Sequence, residues 1–252
     1  MEYFQKALEL KRKLKVPTGA LVLTMNNVAM RYSFNGRKTE ACTLLQEALI
    51  LLERSNSQNT LSRLATFENY GCLQQSLHNY EAALPYINEV ISVRSLHSPL
   101  SPNVFEMFEL KGLNCMHCKR YSEAAFSFKQ VTEMKHIIFE QRPLNLLVYF
   151  CFIRLLECYA CLGNKDKFLQ TCTETQAEML RLKIEKDGTN TLLLDSIRSL
   201  ECRFWTTLDR LKPVIREWSI NIHDHVNYQS SDSSEWCETD TFISAREQTL
   251  KT

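Results

Sequence analysis

The sequence predicts an all-α protein, a right-handed superhelical solenoid of antiparallel helical hairpins. Three observations support this prediction: apolar residues recur at helical spacing, the same columns return about every 42 residues, and two glycines and four prolines fall in turns or between hairpins. Because a lone hairpin cannot bury its apolar face, four hairpins in a row are expected to stack and share one continuous core.

The first complete hairpin shows the pattern most clearly. Its first helix carries Met25, Val28, Ala29 and Tyr32 at the spacing i, i+3, i+4, i+7. After a turn at Asn35-Gly36, the second helix repeats that spacing with Ala41, Leu44, Leu45 and Ala48. Each helix therefore has one apolar stripe, and the two stripes face each other.

Three further hairpins repeat these columns. Their members are Phe67, Tyr70, Gly71, Gln74 with Ala83, Tyr86, Ile87, Val90; Phe108, Lys111, Gly112, Cys115 with Ala124, Ser127, Phe128, Val131; and Phe152, Leu155, Leu156, Tyr159 with Phe168, Thr171, Cys172, Thr175. The leading positions of the second helices, 41, 83, 124 and 168, are 42, 41 and 44 residues apart. The variation in period therefore falls in the loops.

The positions of glycine and proline agree with this register. Gly36 and Gly163 fall at the turn inside a hairpin, where a residue that tolerates positive φ is favoured. Gly71 and Gly112 share the column of Ala29, so we expect two helices to approach closely there. Four prolines lie between hairpins, namely Pro17, Pro99, Pro102 and Pro143.

The pattern small-x-x-Tyr-x-x-x-Gly-x-x-x-x-Ala-x-x-x-aromatic/Leu-x-x-Ala resembles the tetratricopeptide repeat. The 42-residue form resembles the repeats of kinesin light chains, with local matches in Met25-Asn26-Asn27-Val28-Ala29, Tyr80-Glu81-Ala82-Ala83-Leu84-Pro85 and Ser101-Pro102-Asn103-Val104. The resemblance covers roughly residues 3–210 and departs at Phe168 and Thr175, where small residues are usual. It implies an adaptor that binds cargo peptides, in a motor-linked, cytoskeletal or ciliary setting.

Four segments follow from this register. Residues 1–16 resemble the second helix of a partial repeat, residues 19–187 hold the four hairpins, and residues 188–218 form a capping helix. We expect the apolar face of the first segment to be covered by a partner or by further residues of a longer form. Residues 219–252 carry six acids and two bases among many Ser and Thr, which predicts a disordered acidic tail.

Composition excludes several classes of partner. A net charge of +1 gives no broad attraction to nucleic acid or to an anionic membrane surface. The chain shows neither a signal peptide nor an uninterrupted apolar span, so we expect no membrane insertion. Ten cysteines without an export signal are typical of a reducing compartment, which predicts a cytoplasmic protein with free thiols.

Two candidate chemical sites are weak. The pairs Cys115/Cys118 and Cys158/Cys161 have half-site spacing for zinc, but the pairs are 40 residues apart, whereas zinc ribbons place them about 15–20 apart. The segment His223-Asp224-His225 lacks a third ligand placed by pattern. Because no catalytic or nucleotide-binding motif occurs either, we expect no enzyme activity, no cofactor, no metal and no small-molecule substrate.

The remaining candidate is the surface of the first helices, which line the concave side of such a solenoid. Asparagine amides there can hold a peptide backbone, apolar residues can form pockets, and three glutamates on successive first helices favour neutral or basic peptides. The predicted peptide-binding residues are Asn26, Asn27, Met30, Glu68, Asn69, Glu109, Leu113, Met116, Ile153 and Glu157.

Two alternatives stay open. A co-chaperone that clamps an acidic C-terminal peptide would use the same surface, but that function calls for Lys, Arg and Asn there, and the surface has Glu68, Glu109 and Glu157. A thiol-based metal-binding protein would instead use the two cysteine pairs. Zinc analysis of the purified protein distinguishes the second alternative from a peptide adaptor.

Overall fold

The computed structural model of the chain describes residues 2–55, 60–134, 137, 147–184, 191–219 and 222. In these residues the regular structure is helical throughout and contains no strand, which confirms the all-α prediction. The α-helices of this part of the chain, numbered α1 to α11 in order, are Glu2–Lys13, Thr18–Phe34, Lys38–Arg54, Thr60–Ser76, Tyr80–His97, Pro102–His117, Tyr121–Glu133, Leu147–Cys161, Lys165–Ile184, Thr191–Arg210 and Lys212–Glu217.

The chain divides into two compact units, residues 1–119 and 120–252. In unit 1, α2 packs on α3 and α4 packs on α5, while α4 also contacts both helices of the preceding pair. In unit 2, α7 packs on α8, α8 packs on α9, and α10 contacts both α8 and α9. Consecutive helices thus pack in pairs, as the repeat pattern predicts.

The predicted apolar columns form the core of unit 1. Met25, Val28 and Ala29 of α2 are fully buried, as are Ala41 and Ala48 of α3. They meet because residues three and four apart lie on one face of a helix. The register of the first hairpin is therefore confirmed.

Gly71 marks a close approach between α4 and α5. A Cβ atom added to Gly71 would lie 3.1 Å from Ile87 Cγ1, closer than ordinary van der Waals contact, and Ile87 is itself fully buried. The expectation that two helices approach closely at this column is confirmed at Gly71.

Each turn inside a hairpin contains one residue in the left-handed region. The φ values at the four equivalent positions are 77° at Gly36, 62° at His78, 60° at Lys119 and 66° at Gly163. The sequence indicated only the two glycines. At Gly36, His78 and Gly163 the next residue's N–H donates to the carbonyl five residues back, as in a Schellman motif: Arg37 to Tyr32, Asn79 to Gln74 and Asn164 to Tyr159, each at 2.9 Å.

In unit 1, the first residue of each second helix contacts the C-terminal end of the first helix that follows. Lys38 Nζ donates a hydrogen bond to the Ser76 carbonyl at 2.8 Å. The Tyr80 ring stacks on His117, with ring centroids 4.0 Å apart. We call this recurrent feature the start-to-end contact, and it ties each hairpin to the next element along the chain.

Unit 2 repeats the start-to-end contact with other side chains. The Tyr121 side chain lies beside the Cys161 thiol at the end of α8, and this neighbour raises the pKa of the Tyr121 hydroxyl. Lys165, the first residue of α9, donates through Nζ to the Trp218 carbonyl at 3.1 Å. Trp218 directly follows α11. In this contact the end of α11 therefore takes the place that the end of a first helix has in the other hairpins.

The fourth hairpin accommodates its unusual residues without exposing them. Phe168 is fully buried, and the Trp218 ring packs edge-on against it at a centroid distance of 5.4 Å. Thr175 is also buried, and its hydroxyl donates to the Thr171 carbonyl at 2.6 Å. A buried hydroxyl that is hydrogen bonded in this way avoids the cost of an unsatisfied polar group.

The four-segment organisation predicted from the sequence stays a prediction. The helix α1 lies in the segment assigned to a partial repeat, and α10 and α11 lie in the segment assigned to a cap. Most of the predicted acidic tail, residues 220–221 and 223–252, lies outside the described residues. None of the described helices is long and apolar enough to cross a membrane.

Candidate peptide-binding surface

The predicted peptide-binding residues fall into two groups in the structure. Those with accessible surface, all in unit 1, are Asn27, Met30, Glu68, Asn69, Leu113 and Met116. Those that are buried are Asn26 and Glu109 in unit 1, and Ile153 and Glu157 in unit 2.

Asn26 links two neighbouring first helices. It is 3% exposed, and its Nδ2 donates to Thr66 Oγ1 of α4 at 3.0 Å. Thr66 in turn donates to the Ser62 carbonyl at 2.7 Å. The expectation that Asn26 faces a peptide is therefore wrong, because the residue after it, Asn27, is the exposed member of the pair.

Glu68 keeps a half-exposed carboxylate that is partly balanced. It forms an ion pair with Arg94 from the last turn of α5. Its pKa is raised, first because partial burial disfavours the charged form and also because Glu106 lies nearby, while Arg94 acts in the opposite direction. The negative charge of Glu68 is therefore partly balanced by Arg94 at this surface.

Two of the other predicted site residues offer little surface. Glu109 of α6 is 6% exposed, and Ile153 of α8 has the same low exposure. Both were expected to project from a first helix into a groove. That expectation is wrong for these two side chains, because part of the stripe assigned from the register is buried between packed helices.

Glu157 lies in an internal charge cluster of unit 2. Its carboxylate pairs with Arg154 Nη1 at 2.8 Å and with Arg210 at the end of α10. The side chain is 9% exposed. A ladder of three projecting glutamates is therefore not present, since Glu109 and Glu157 are buried and Glu157 is neutralised by two arginines.

The sequence reasoning missed the basic partners of these glutamates. Arg94 and Arg210 each stand in the last turn of a helix, a position where a cation is favoured by the helix dipole. The interaction of Arg94 with a first helix could have been suspected from this placement. Nothing in the repeat pattern assigned either arginine to a glutamate.

The accessible apolar residues of the site share unit 1 with the asparagines. Met30 of α2, Cys72 of α4, and Leu113 and Met116 of α6 are half-buried. They lie on three first helices, of which α2 and α4 are in direct contact. Half-exposed Met and Leu side chains can adapt to the apolar side chains of a ligand.

The structure offers little support for a metal or catalytic site. Within the described residues no group of three His, Cys, Asp or Glu side chains is placed to hold a metal ion. Burial raises the pKa of the Cys172 thiol to about 12, so that thiol is a core group with little nucleophilic character. The segment His223-Asp224-His225 lies outside the described residues.

This geometry defines an all-α protein of paired, repeated helical hairpins. A family model of the tetratricopeptide repeat matches residues 21–60. The fold is that of the tetratricopeptide repeat, in keeping with the matches to solved structures. A search of curated proteins gives no match.

Solved structures are similar over most of the chain. Nearly identical TPR-like repeats of a protein assigned as a kinesin light chain of Podosopora anserina align with a TM-score of 0.61 and 13% identity, covering 81% of this chain and 99% of that chain. BtubC (BKLC) from P. vanneervenii aligns with a TM-score of 0.53 and 15% identity, covering 91% and 94%.

A third similar structure is part of a larger protein. A STAND signal transduction ATPase with a tetratricopeptide repeat sensor, from Pyrococcus horikoshii, aligns with a TM-score of 0.56 and 14% identity, covering 89% of this chain and 34% of that chain. At such identities the likeness is one of fold.

Proposed function

We propose that this chain is a non-catalytic adaptor that holds a peptide segment of another protein on the first-helix surface of unit 1. The observation that supports this proposal is the recurrence of accessible amide and apolar side chains at equivalent positions of successive first helices. Asn27 and Asn69 occupy the same column, 42 residues apart. Met30 and Leu113 share the column three residues later, and Met116 lies three residues after Leu113. Tetratricopeptide folds commonly serve protein interaction, which fits this surface.

The chemistry of the surface defines the kind of peptide. Each asparagine amide offers two donors and one acceptor, so it can hold a peptide backbone whatever the sequence. Glu68 places a carboxylate on this surface that Arg94 partly balances, and we expect its negative charge to favour neutral or basic peptides over acidic ones. We expect micromolar affinity, about −8 kcal/mol.

The cellular setting is part of the proposal. The similarity to TPR-like repeats assigned to a kinesin light chain supports a cytoplasmic adaptor with a motor-linked, cytoskeletal or ciliary role. No described feature favours the co-chaperone or the metal-binding alternative.

A peptide selection tests the proposed surface. A random 12-residue peptide library is displayed against the full chain, and the affinity of enriched peptides is measured by fluorescence anisotropy. The double variant Asn27→Ala with Asn69→Ala should weaken binding at least roughly tenfold, because it removes the amides that hold the backbone. The melting temperature should change little, since both positions have accessible surface.

The matched control is Asn88→Ala, an exposed asparagine on the second helix α5. It should leave peptide affinity unchanged. Enrichment of acidic peptides would contradict the charge preference. Full peptide affinity in the Asn27/Asn69 variant, together with a loss of affinity in Asn88→Ala, would show that the peptide binds the surface of the second helices instead.

A further inference from the structure

Two cysteines share one face at the C-terminal end of α8. Cys158 and Cys161 are three residues apart, and Cys161 is the last residue of the helix. Helix geometry places Cα atoms at this spacing about 5 Å apart, on the same side of the helix. A disulfide joins Cα atoms that are about 4.4–6.8 Å apart. The helix therefore holds the two cysteines at a separation that a disulfide can bridge.

The two thiols differ in their access to solvent. Cys158 is fully buried, whereas Cys161 is exposed, and it is the one exposed cysteine among the residues that the structure describes. A dissolved reagent can therefore reach Cys161 but not Cys158. An accessible thiol next to a second, sheltered thiol is the arrangement in which one cysteine reacts first and the other resolves the product.

The side chain of Tyr121 shows independently that the two sulfurs point to one place. Tyr121 is the first residue of α7, which packs on α8. Its pKa is raised first by the Cys161 thiol, then by burial, and also by the Cys158 thiol. Both thiols therefore lie near the same hydroxyl, on the face of α8 that meets α7.

A second cysteine pair with the same spacing provides an internal comparison. Cys115 and Cys118 are also three residues apart, but α6 ends at His117, so Cys118 lies just outside the helix. Cys115 is fully buried and Cys118 is half-buried. This pair therefore offers a dissolved reagent a less accessible thiol than Cys161.

We propose that Cys158 and Cys161 form a redox-modification site that reacts with a low-molecular-weight disulfide and closes an internal disulfide at the end of α8. The site lies in unit 2 and does not depend on the proposed peptide-binding surface of unit 1. Because Tyr121 lies near both thiols, the modification makes the start-to-end contact between α7 and α8 sensitive to oxidation.

Oxidised glutathione serves as the probe, and the reaction has two steps. The Cys161 thiolate attacks one sulfur of oxidised glutathione, which forms a mixed disulfide, breaks the glutathione disulfide and releases one glutathione thiolate. The Cys158 thiolate then attacks the Cys161 sulfur, which forms the internal disulfide and releases the second glutathione thiolate. The second step is intramolecular, so proximity favours it although Cys158 is buried.

Atoms and electrons balance over the two steps. The two cysteines lose two electrons, which reduce one molecule of oxidised glutathione to two thiolates. The two protons that leave the cysteine thiols end on the two glutathione thiols. No further oxidant is needed.

Mass spectrometry of the full chain tests the proposal. The reduced chain is incubated with oxidised glutathione, the remaining thiols are blocked with N-ethylmaleimide at successive times, and the chain is digested with trypsin without a reductant. The tryptic peptide of residues 155–165 contains Cys158 and Cys161 and no other cysteine. We expect it to gain one glutathione at Cys161 first. It should then form an internal disulfide and become lighter by two hydrogen atoms than the dithiol peptide.

The matched comparison is made in the same digest. The tryptic peptide of residues 112–119 contains Cys115 and Cys118 and no other cysteine. It should react at least roughly tenfold more slowly, because its thiols are less accessible. Circular dichroism of the oxidised chain should show an unchanged helix content.

Variants separate the roles of the two cysteines. Cys158→Ala should stop the reaction at the mixed disulfide of Cys161, because no second thiol is present to attack it. Cys161→Ser should leave Cys158 unmodified, since Cys158 is fully buried. The control Cys118→Ser should form the disulfide of peptide 155–165 at the normal rate. Circular dichroism verifies that each variant is folded, and the time course of the unchanged chain tests the order of the steps without a substitution.

Several results would overturn the proposal. They are an unmodified peptide 155–165, a mixed disulfide of Cys161 that persists in the unchanged chain, equal rates in the two peptides, and a disulfide that joins Cys158 or Cys161 to another peptide. A loss of helix content before the disulfide appears would also overturn it, since Cys158 would then react from an unfolded chain. Excess dithiothreitol should restore the dithiol peptide, because thiol–disulfide exchange is reversible. A modification that resists dithiothreitol would be a higher oxidation state of sulfur and would contradict the proposed disulfide.

Discussion

The last elements of unit 2 bury their apolar residues, whereas the first helix of unit 1 exposes several. In unit 2, Phe168 is fully buried, Ile215 of α11 is 4% exposed, and the Trp218 ring packs on Phe168 at 5.4 Å. In unit 1, the outer face of α1, formed by Tyr3 and Leu10, is largely in solvent.

The difference lies partly in the contacts that Trp218 makes with α9. The helix α11 has only six residues, yet the Trp218 carbonyl that follows it receives the start-to-end contact from Lys165. Each hairpin contacts only its neighbours, so each edge is stabilised locally and the two edges can bury their apolar residues to different extents.

The largest expected effect is at the buried edge of unit 2. Phe168→Ala should lower the free energy of unfolding by about 3–5 kcal/mol, because it leaves a cavity beneath Trp218 in a fully buried site. Chemical denaturation of the full chain measures this. The matched control Phe126→Ala, at a side chain that is 59% exposed on α7, should change stability by less than about 0.5 kcal/mol. Similar losses in the two variants would show that Phe168 has no special role at this edge.

A smaller effect is expected from the ring that covers Phe168. Trp218→Ala should cost about 1–2 kcal/mol, since Trp218 is half-buried and loses only part of its burial. Circular dichroism should show an unchanged helix content at low temperature. A loss as large as that of Phe168→Ala would mean that the whole edge unfolds when the ring is removed.

The thiol of Cys172, one turn after Phe168 on α9, reports on the same edge. Burial raises its pKa to about 12 against an ordinary 9, so at pH 8 its thiolate fraction is roughly a thousandfold lower. Because the folded-state pKa is the higher one, this group stabilises the fold below about pH 9 and the contribution is lost as the pH rises towards 12. Iodoacetamide should label the exposed Cys161 first, and Trp218→Ala should accelerate labelling of Cys172.

Much of the fold could be predicted because the packing residues recur in register. The columns of Met25 and Ala41 were assigned from spacing alone, and both residues are buried. The turns were less predictable, since His78 and Lys119 adopt the left-handed conformation that the sequence indicated only at glycine. Backbone hydrogen bonds of the turn, rather than the residue type, determine the conformation at those two positions.

The candidate site was less predictable than the fold. A helical period places Asn26 and Asn27 within 100° of each other, so a small rotation of the helix decides which amide is buried. Neighbouring helices decide it here, because Thr66 accepts a hydrogen bond from Asn26. For the same reason Glu157 was misassigned, since its arginine partner at position 210 comes from a helix 53 residues further along the chain.

The smallest expected effect is at the exposed edge of unit 1 and tests the comparison directly. Leu10→Ser should change the free energy of unfolding by less than about 0.5 kcal/mol, because Leu10 is 56% exposed on the outer face of α1. Leu8→Ser, two residues earlier on the same helix, should cost about 2–5 kcal/mol, since Leu8 is 7% exposed in the core cluster. The pair matches helix, residue type and substitution, so it isolates the effect of the face. Chemical denaturation of both variants measures it, and a large loss from Leu10→Ser would show that this face is packed in solution and that the two edges do not differ.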